Sequence, residues 1–231
     1  KGFFVSIFNI VENEKKKNIA QNKQGMVRGV SGPTASGKTF FAQGLKNYLK
    51  KKKYNSWIFE LDWTLKNRIY REKYLKNIFK QNLFFEFEAE EHMNLDIASN
   101  FLFKIEQHNK KKFNSNSFFK TKLNKLYDRN NDGRCSRVID VKLSSQTIIL
   151  IEGHYTLRND LDKFIDFNIL LLSSQKELLK RKINRVGEYR NEEKTKKYFF
   201  LLDIPSFINH LERNLFKTDL IIENTNYKKP I

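Results

Sequence analysis

Residues 32 to 39 read Gly-Pro-Thr-Ala-Ser-Gly-Lys-Thr and meet every fixed position of G-x-x-x-x-G-K-[ST]. No other stretch restricts the fold as much. The pattern works where a strand ends in a tight turn and a helix begins at once. Glycines let the backbone curl until successive N–H groups point inward, and the helix start adds its own free N–H groups and positive dipole end. The enclosed space suits a polyphosphate. On this reading Gly32, Thr34, Ala35, Ser36, Gly37, Lys38, Thr39 and Phe40 line a nucleotide site. Lys38 reaches the β- and γ-phosphates and is a catalytic candidate, and the Thr39 hydroxyl is a ligand for Mg²⁺. The expected cofactors are ATP and Mg²⁺. The alternative is a glycine-rich turn with an exposed lysine, and the flanking sequence argues against it.

Those flanks have the required character. Residues 25–30 form a short apolar run that predicts a strand, and 40–50 carry Phe41, Leu45, Tyr48 and Leu49 at helical spacing. Further strands are expected at 57–61, 147–151, 164–172 and 219–222. The run at 147–151 is apolar without alternation, as in a strand covered on both faces. Helices are expected at 65–79, 95–108, 175–185, 194–202 and 206–216, and a Lys/Asn-rich loop at 110–116. Strand and helix alternate, which predicts an α/β chain with a P-loop NTPase fold: a mostly parallel sheet, helices on both faces and an arginine-bearing lid. Residues 25–231 are expected to form this one domain. Residues 1–24 read as an N-terminal extension, either a peripheral strand or the end of a longer protein.

Two carboxylates fall where such a sheet presents its ligands. Asp62 directly follows the strand at 57–61, and strand ends face the crevice in a doubly wound sheet. It could take a proton from an attacking hydroxyl and touch Mg²⁺. It also fits an N-cap for the helix expected from residue 65. Glu152 ends the strand at 147–151 and is a further Mg²⁺ candidate, with a solvated strand end as the alternative. Arg181, Arg185 and Arg190 lie at and beyond the end of one helix. Guanidinium groups there could close over the transferred phosphate, and Arg185 and Arg190 are the catalytic candidates; a solvated helix face is the other reading. His154 follows Glu152-Gly153 and could contact a substrate. His92, His108 and His210 read as surface or packing residues.

Composition narrows the remaining options. The 231 residues suit one α/β domain. A formal charge of +18 could serve nucleic acid, but the lysines are scattered in short runs, and Lys, Asn, Phe and Ile together point to AT-rich codons. Nucleic acid is therefore not an expected partner. No apolar run reaches the roughly 20 residues a membrane helix needs. The single Cys135 excludes an internal disulfide and a cysteine metal cage. The expected compartment is the cytoplasm, and a homo-oligomer is an open option.

Taken together, Gly29 to Thr39, Asp62, Tyr127-Asp128 before Arg134, Glu152-Gly153 and the Arg185/Arg190 pair resemble the uridine kinase and phosphoribulokinase family of P-loop kinases. The resemblance runs from about residue 26 to 222. It implies transfer of the γ-phosphate of ATP to a hydroxyl of a small molecule, with Asp62 as the catalytic carboxylate. It implies an acceptor site holding Asp62, Glu88, Tyr127 and Arg134, and the positions of Arg129 and His154 make them further acceptor-site candidates. Two departures stand out. Uridine-cytidine kinases hold the pyrimidine with an aromatic residue and a histidine between the Tyr-Asp pair and the basic residue, and Arg129 to Gly133 contains neither. Their Phe-Asp segment for the ribose diol has only Phe87-Glu88 as a counterpart. Uridine or cytidine is the leading single acceptor. A sugar, polyol or hydroxy acid is the rival, because Arg129 could grip a carboxylate or phosphate. A P-loop ATPase or GTPase switch, or an inactive binding domain, are the other classes; the chain has no NKxD-like guanine-reading motif.

Overall fold

A computed structural model of the chain describes residues 26–84, 89–111, 118–186 and 191–226. The expected N-terminal extension lies outside them, as do Glu88 and Arg190.

Five strands form one parallel sheet: β1 (Met26–Ser31), β2 (Ser56–Glu60), β5 (Ile148–Glu152), β6 (Phe167–Leu172) and β7 (Leu220–Glu223), in the order β2-β5-β1-β6-β7. The central strands are buried along their whole length. In β5, Ile149 and Ile151 join one core and Ile148 and Leu150 the other, so the two faces share a strand residue by residue. This is why the segment shows no polar alternation. Arg28 is the exception inside β1: it is fully buried, its guanidinium 5.5 Å from the centre of the Phe167 ring.

On one face lies α1 (Lys38–Lys51), which buries Phe41, Leu45 and Leu49 against Val30, Leu150 and Ile169. On the other lies α4 (Asp96–Lys111), whose Ala98, Phe101, Leu102 and Ile105 meet Phe59 and Ile151. Between β2 and α4 run a 3₁₀ turn (Leu61–Thr64), α2 (Arg68–Gln81) and the short α3 (Ala89–His92).

The same face carries an element the sequence reading lacks. Strands β3 (Phe118–Asp128) and β4 (Arg134–Ser144) pair antiparallel as a separate hairpin. Its Leu123, Leu126, Val141 and Leu143 complete the core around α4. The turn at 129–133 is built on Asp132 and Gly133, both with positive φ, as a tight hairpin turn favours.

After β5 come α5 (Asn159–Asp162), then β6 and the lid helix α6 (Gln175–Val186). Next follow α7 (Glu192–Tyr198), a π-helical turn (Phe199–Asp203) and α8 (Ile204–Asn214). Lys182 on α6 pairs with Asp203 on the π turn, while Leu178, Phe199 and Ile204 form a small core of their own. The lid is thus a packed subassembly beside the sheet. The expected helix at 65–79 begins instead at Arg68, because the Asn67 side chain accepts from the Tyr70 N–H and caps it.

Candidate active site

The site is assembled at the carboxyl ends of β1, β2 and β5. Register does most of the work. Val30 lies beside Glu152, and Glu60 beside the same Glu152, so the turn after β1 and two carboxylates converge on one edge of the sheet.

The loop 32–37 has the curled backbone expected of it. Ala35 and Gly37 hold positive φ. A Cβ on Gly32 would lie 2.5 Å from the Leu171 carbonyl oxygen, which leaves room only for glycine. The Ser36 hydroxyl is buried and has no hydrogen-bond partner among the described residues. The Lys38 ammonium folds back onto the Gly32 and Pro33 carbonyls at 3.0 and 2.8 Å. A buried orphan hydroxyl and a lysine folded onto its own loop's carbonyls are groups that phosphate oxygens would satisfy. Beside them a cavity of about 220 Å³ is lined by Gly37, Lys38, Thr39, Phe40, Arg181 and Arg185. Phe40 is 78% exposed there, since α1 already buries Phe41.

Two anchors were not legible beforehand. The Asn224 side chain donates to the Ser36 carbonyl at 2.8 Å, so the turn after β7 holds the loop. Arg181 donates to the Asn224 and Thr225 carbonyls at 2.8 and 3.0 Å and pairs with Glu177 at 2.9 Å. It is committed to the scaffold. Arg185 instead faces the loop, with a long 3.4 Å contact to the Thr34 hydroxyl.

The Thr39 hydroxyl donates to Glu152 Oε1 at 2.7 Å. Burial raises Glu152 above the usual carboxylate range; Lys38 and the Thr39 hydrogen bond oppose this, and Asp62 and Glu60 reinforce it. Burial likewise lowers Lys38, against the pull of Glu152 and Asp62 and with the push of Arg185. Lys38, Glu152 and Asp62 therefore share one electrostatic field.

Asp62 sits in the 3₁₀ turn after β2 and is exposed. The capping alternative fails, because Asn67 caps α2. Its carboxylate meets Arg129 from the hairpin turn at 3.5 Å. Glu60 and Arg137 complete the group, and neither was singled out from sequence. Glu60 is raised by burial and by Asp62, and held back by Arg137 and Arg129. The Arg137 guanidinium lies 5.0 Å from the centre of the buried Trp63 ring. Two carboxylates at the end of β2 thus lie near two guanidiniums from the hairpin.

The structure places the other candidate acceptor residues as follows. Tyr127 is buried against Gly133 beneath the Arg71 guanidinium, where it braces the hairpin. Arg134 is exposed at the start of β4, opposite Asp128. The His154 ring packs between Tyr155 and Phe207, its Nε2 shielded from solvent, and its backbone carbonyl accepts from the Ser31 hydroxyl at 3.3 Å. His154 supports the loop from beneath.

Comparison with known proteins agrees with this geometry. No curated protein sequence matches the chain. In fold it is similar to D-glycerate 3-kinase from Cryptococcus neoformans var. grubii, at 13% identity over 91% of this chain and 90% of that one, TM-score 0.62. It is similar to phosphoribulokinase from Rhodobacter spheroides, at 11% identity over 87% and 70% of the two chains, TM-score 0.58. A structure described as a possible uridine kinase from Bacillus stearothermophilus gives 16% identity, 86% and 88% coverage and a TM-score of 0.55. At these identities the likeness speaks for the fold. The sequence profile of the Phosphoribulokinase / Uridine kinase family matches residues 27–229. The chain therefore belongs to the phosphoribulokinase/uridine kinase family, and it is an ATP-dependent P-loop kinase of alcohol groups.

Proposed function

We propose that the chain transfers the γ-phosphate of ATP to the hydroxyl of a small compound that also carries a carboxylate or phosphate group. The observation behind this reading is the Arg129–Asp62 contact of 3.5 Å, made between two exposed side chains at the strand ends. An exposed pair of this kind is weak, worth about 0–1 kcal/mol, so an arriving substrate can open it. Arg129 is then free to bind the acceptor's anionic group in bidentate fashion, with Arg137 beside it. The released Asp62 carboxylate takes the proton from the acceptor hydroxyl as its oxygen bonds to the γ-phosphorus and ADP departs.

Lys38 and Arg185 neutralise the phosphates, and Arg190 is the second lid cation. Glu88 and Arg134 are the wider acceptor set, and Tyr127 and His154 act on the acceptor site only from behind, by holding the hairpin and the loop. Thr39 and Glu152 offer a hydroxyl and a carboxylate side by side, the hard oxygen donors Mg²⁺ accepts alongside water and phosphate; Asp62 is a further ligand. When bound, Mg²⁺ supplies positive charge to the transferring phosphate.

The test is a panel of hydroxy acids, sugar phosphates, neutral sugars, uridine and cytidine assayed alike with wild type and Arg129→Ala. An anionic acceptor should give the highest kcat/KM and lose about 10–100-fold in the variant. Nucleoside turnover that beats every other acceptor and survives Arg129→Ala would overturn the reading.

A further inference from the structure

The strand order sets which way a nucleotide lies across the P-loop. On one side of β1 lie β5 and β2, which bring Glu152 and, in the turn after β2, Asp62; on the other lie β6 and β7. The γ-phosphate belongs on the Asp62 side, where the acceptor arrives. The remainder of the donor then extends toward β6 and β7. On that side the turn after β7 meets the loop, through the Asn224 amide that donates to the Ser36 carbonyl at 2.8 Å. Arg181, which donates to the Asn224 and Thr225 carbonyls, lines the same cavity of about 220 Å³ as Lys38 and Thr39. The cavity thus leads from the phosphate-binding groups toward the β7 side of the sheet.

Phe40 forms part of its wall. It follows Thr39 in the first turn of α1. Helical spacing turns Phe41, Ala42, Leu45 and Leu49 to the core and leaves Phe40 on the outward face. Exposure alone says little, since Ile69 and Phe216 are as exposed as Phe40. Position separates them: neither of those lines this cavity, whereas Phe40 adjoins the Thr39 hydroxyl that meets Glu152. Lys38 and Arg185 in the same wall serve the phosphates. The Phe40 ring offers a flat apolar face, and a base laid on it removes apolar surface of both from water.

We propose that Phe40 is the platform on which the base of the nucleotide donor stacks, and that it sets donor specificity. Stacking grips the face of a base and not its hydrogen-bonding edge. Adenine and guanine nucleotides therefore bind alike, and the smaller pyrimidines bind less tightly. The placement rests on the reading of Asp62 as the acceptor side, and its test needs no acceptor.

The experiment is calorimetric titration of wild type, Phe40→Ala and Phe40→Trp with ATP, GTP, CTP and inorganic tripolyphosphate, each with Mg²⁺. Tripolyphosphate engages the P-loop but has no base. Phe40 is exposed and alanine favours a helix, so Phe40→Ala folds as wild type does. In wild type, ATP and GTP should bind within about tenfold of each other and tighter than CTP. Phe40→Ala should weaken ATP and GTP by about 5–150-fold and leave tripolyphosphate affinity unchanged, and Phe40→Trp should retain ATP affinity. Unchanged ATP affinity in Phe40→Ala, an equal loss for tripolyphosphate, or a preference for ATP over GTP above about tenfold overturns the proposal and leaves the Arg129 test of the acceptor untouched. Failure of wild type to bind any of the four probes overturns it together with the nucleotide site itself.

Discussion

Asp62 and its neighbours show how little a residue's chemistry follows from its identity alone. Three carboxylates, Glu60, Asp62 and Glu152, crowd the strand ends, and Lys38, Arg129 and Arg137 offset them. Asp62 and Glu152 were readable as residues after apolar strands. Glu60 was not, because its position beside Glu152 depends on β2 pairing with β5. Arg137 was equally hidden, since it reaches Trp63 only through the hairpin fold. The roles assigned above lead to a direct expectation. Asp62→Asn keeps the size of the side chain but cannot take a proton, and kcat should fall by about 10²–10⁴-fold with little change in affinity for an ATP analogue. Single-turnover kinetics with the best acceptor measure this, and a near-normal kcat would remove Asp62 from the chemistry.

At the scale of elements, the parallel strands were legible because each is an apolar run of the right length between turn signals, and strand ends shifted by only a few residues. The β3–β4 hairpin was missed although Ile139, Val141 and Leu143 alternate cleanly. In β3 the alternation breaks where the register shifts between Leu123 and Leu126, and Lys125 takes a positive φ. A strand with a bulge and with Lys120, Lys122, Asn124 and Lys125 among its eleven residues gives no clean strand signal. The order β2-β5-β1-β6-β7 is a property of crossovers that no single segment encodes. Close packing between elements makes a second prediction. A Cβ on Gly153 would fall 2.5 Å from Leu61 Cβ, so the ends of β5 and β2 touch through a glycine. Gly153→Ala should cost about 1–3 kcal/mol in urea unfolding. It should also lower kcat, because it parts Glu152 from Asp62. Unchanged stability would mean that the contact relaxes freely.

The whole molecule carries its own pH signature. His92, packed edge-on against Tyr74, is held down to about 3 by burial first and then by Arg71 and Lys66. His210 is held down to about 4 by burial, then by Arg158, Lys217 and Arg213. Below the unfolded value of about 6.5 the unfolded chain binds protons that the folded one refuses, so stability falls as pH falls through that range. Each histidine should withdraw about 2 kcal/mol between pH 7.5 and pH 5. Urea unfolding at the two pH values measures the loss, and His92→Phe should reduce it; an equal loss in the variant would acquit His92.

Phosphate should leave ATP only when an acceptor hydroxyl is present, by way of Lys38. The direct measurement is γ-phosphate transfer from ATP, with and without the acceptor panel, in wild type and Lys38→Ala. Wild type should consume ATP in step with the phosphorylated acceptor and stay nearly silent without it, and Lys38→Ala should lose about 10²–10³-fold. ATP hydrolysis at the same rate without any acceptor, or full transfer in Lys38→Ala, would contradict it.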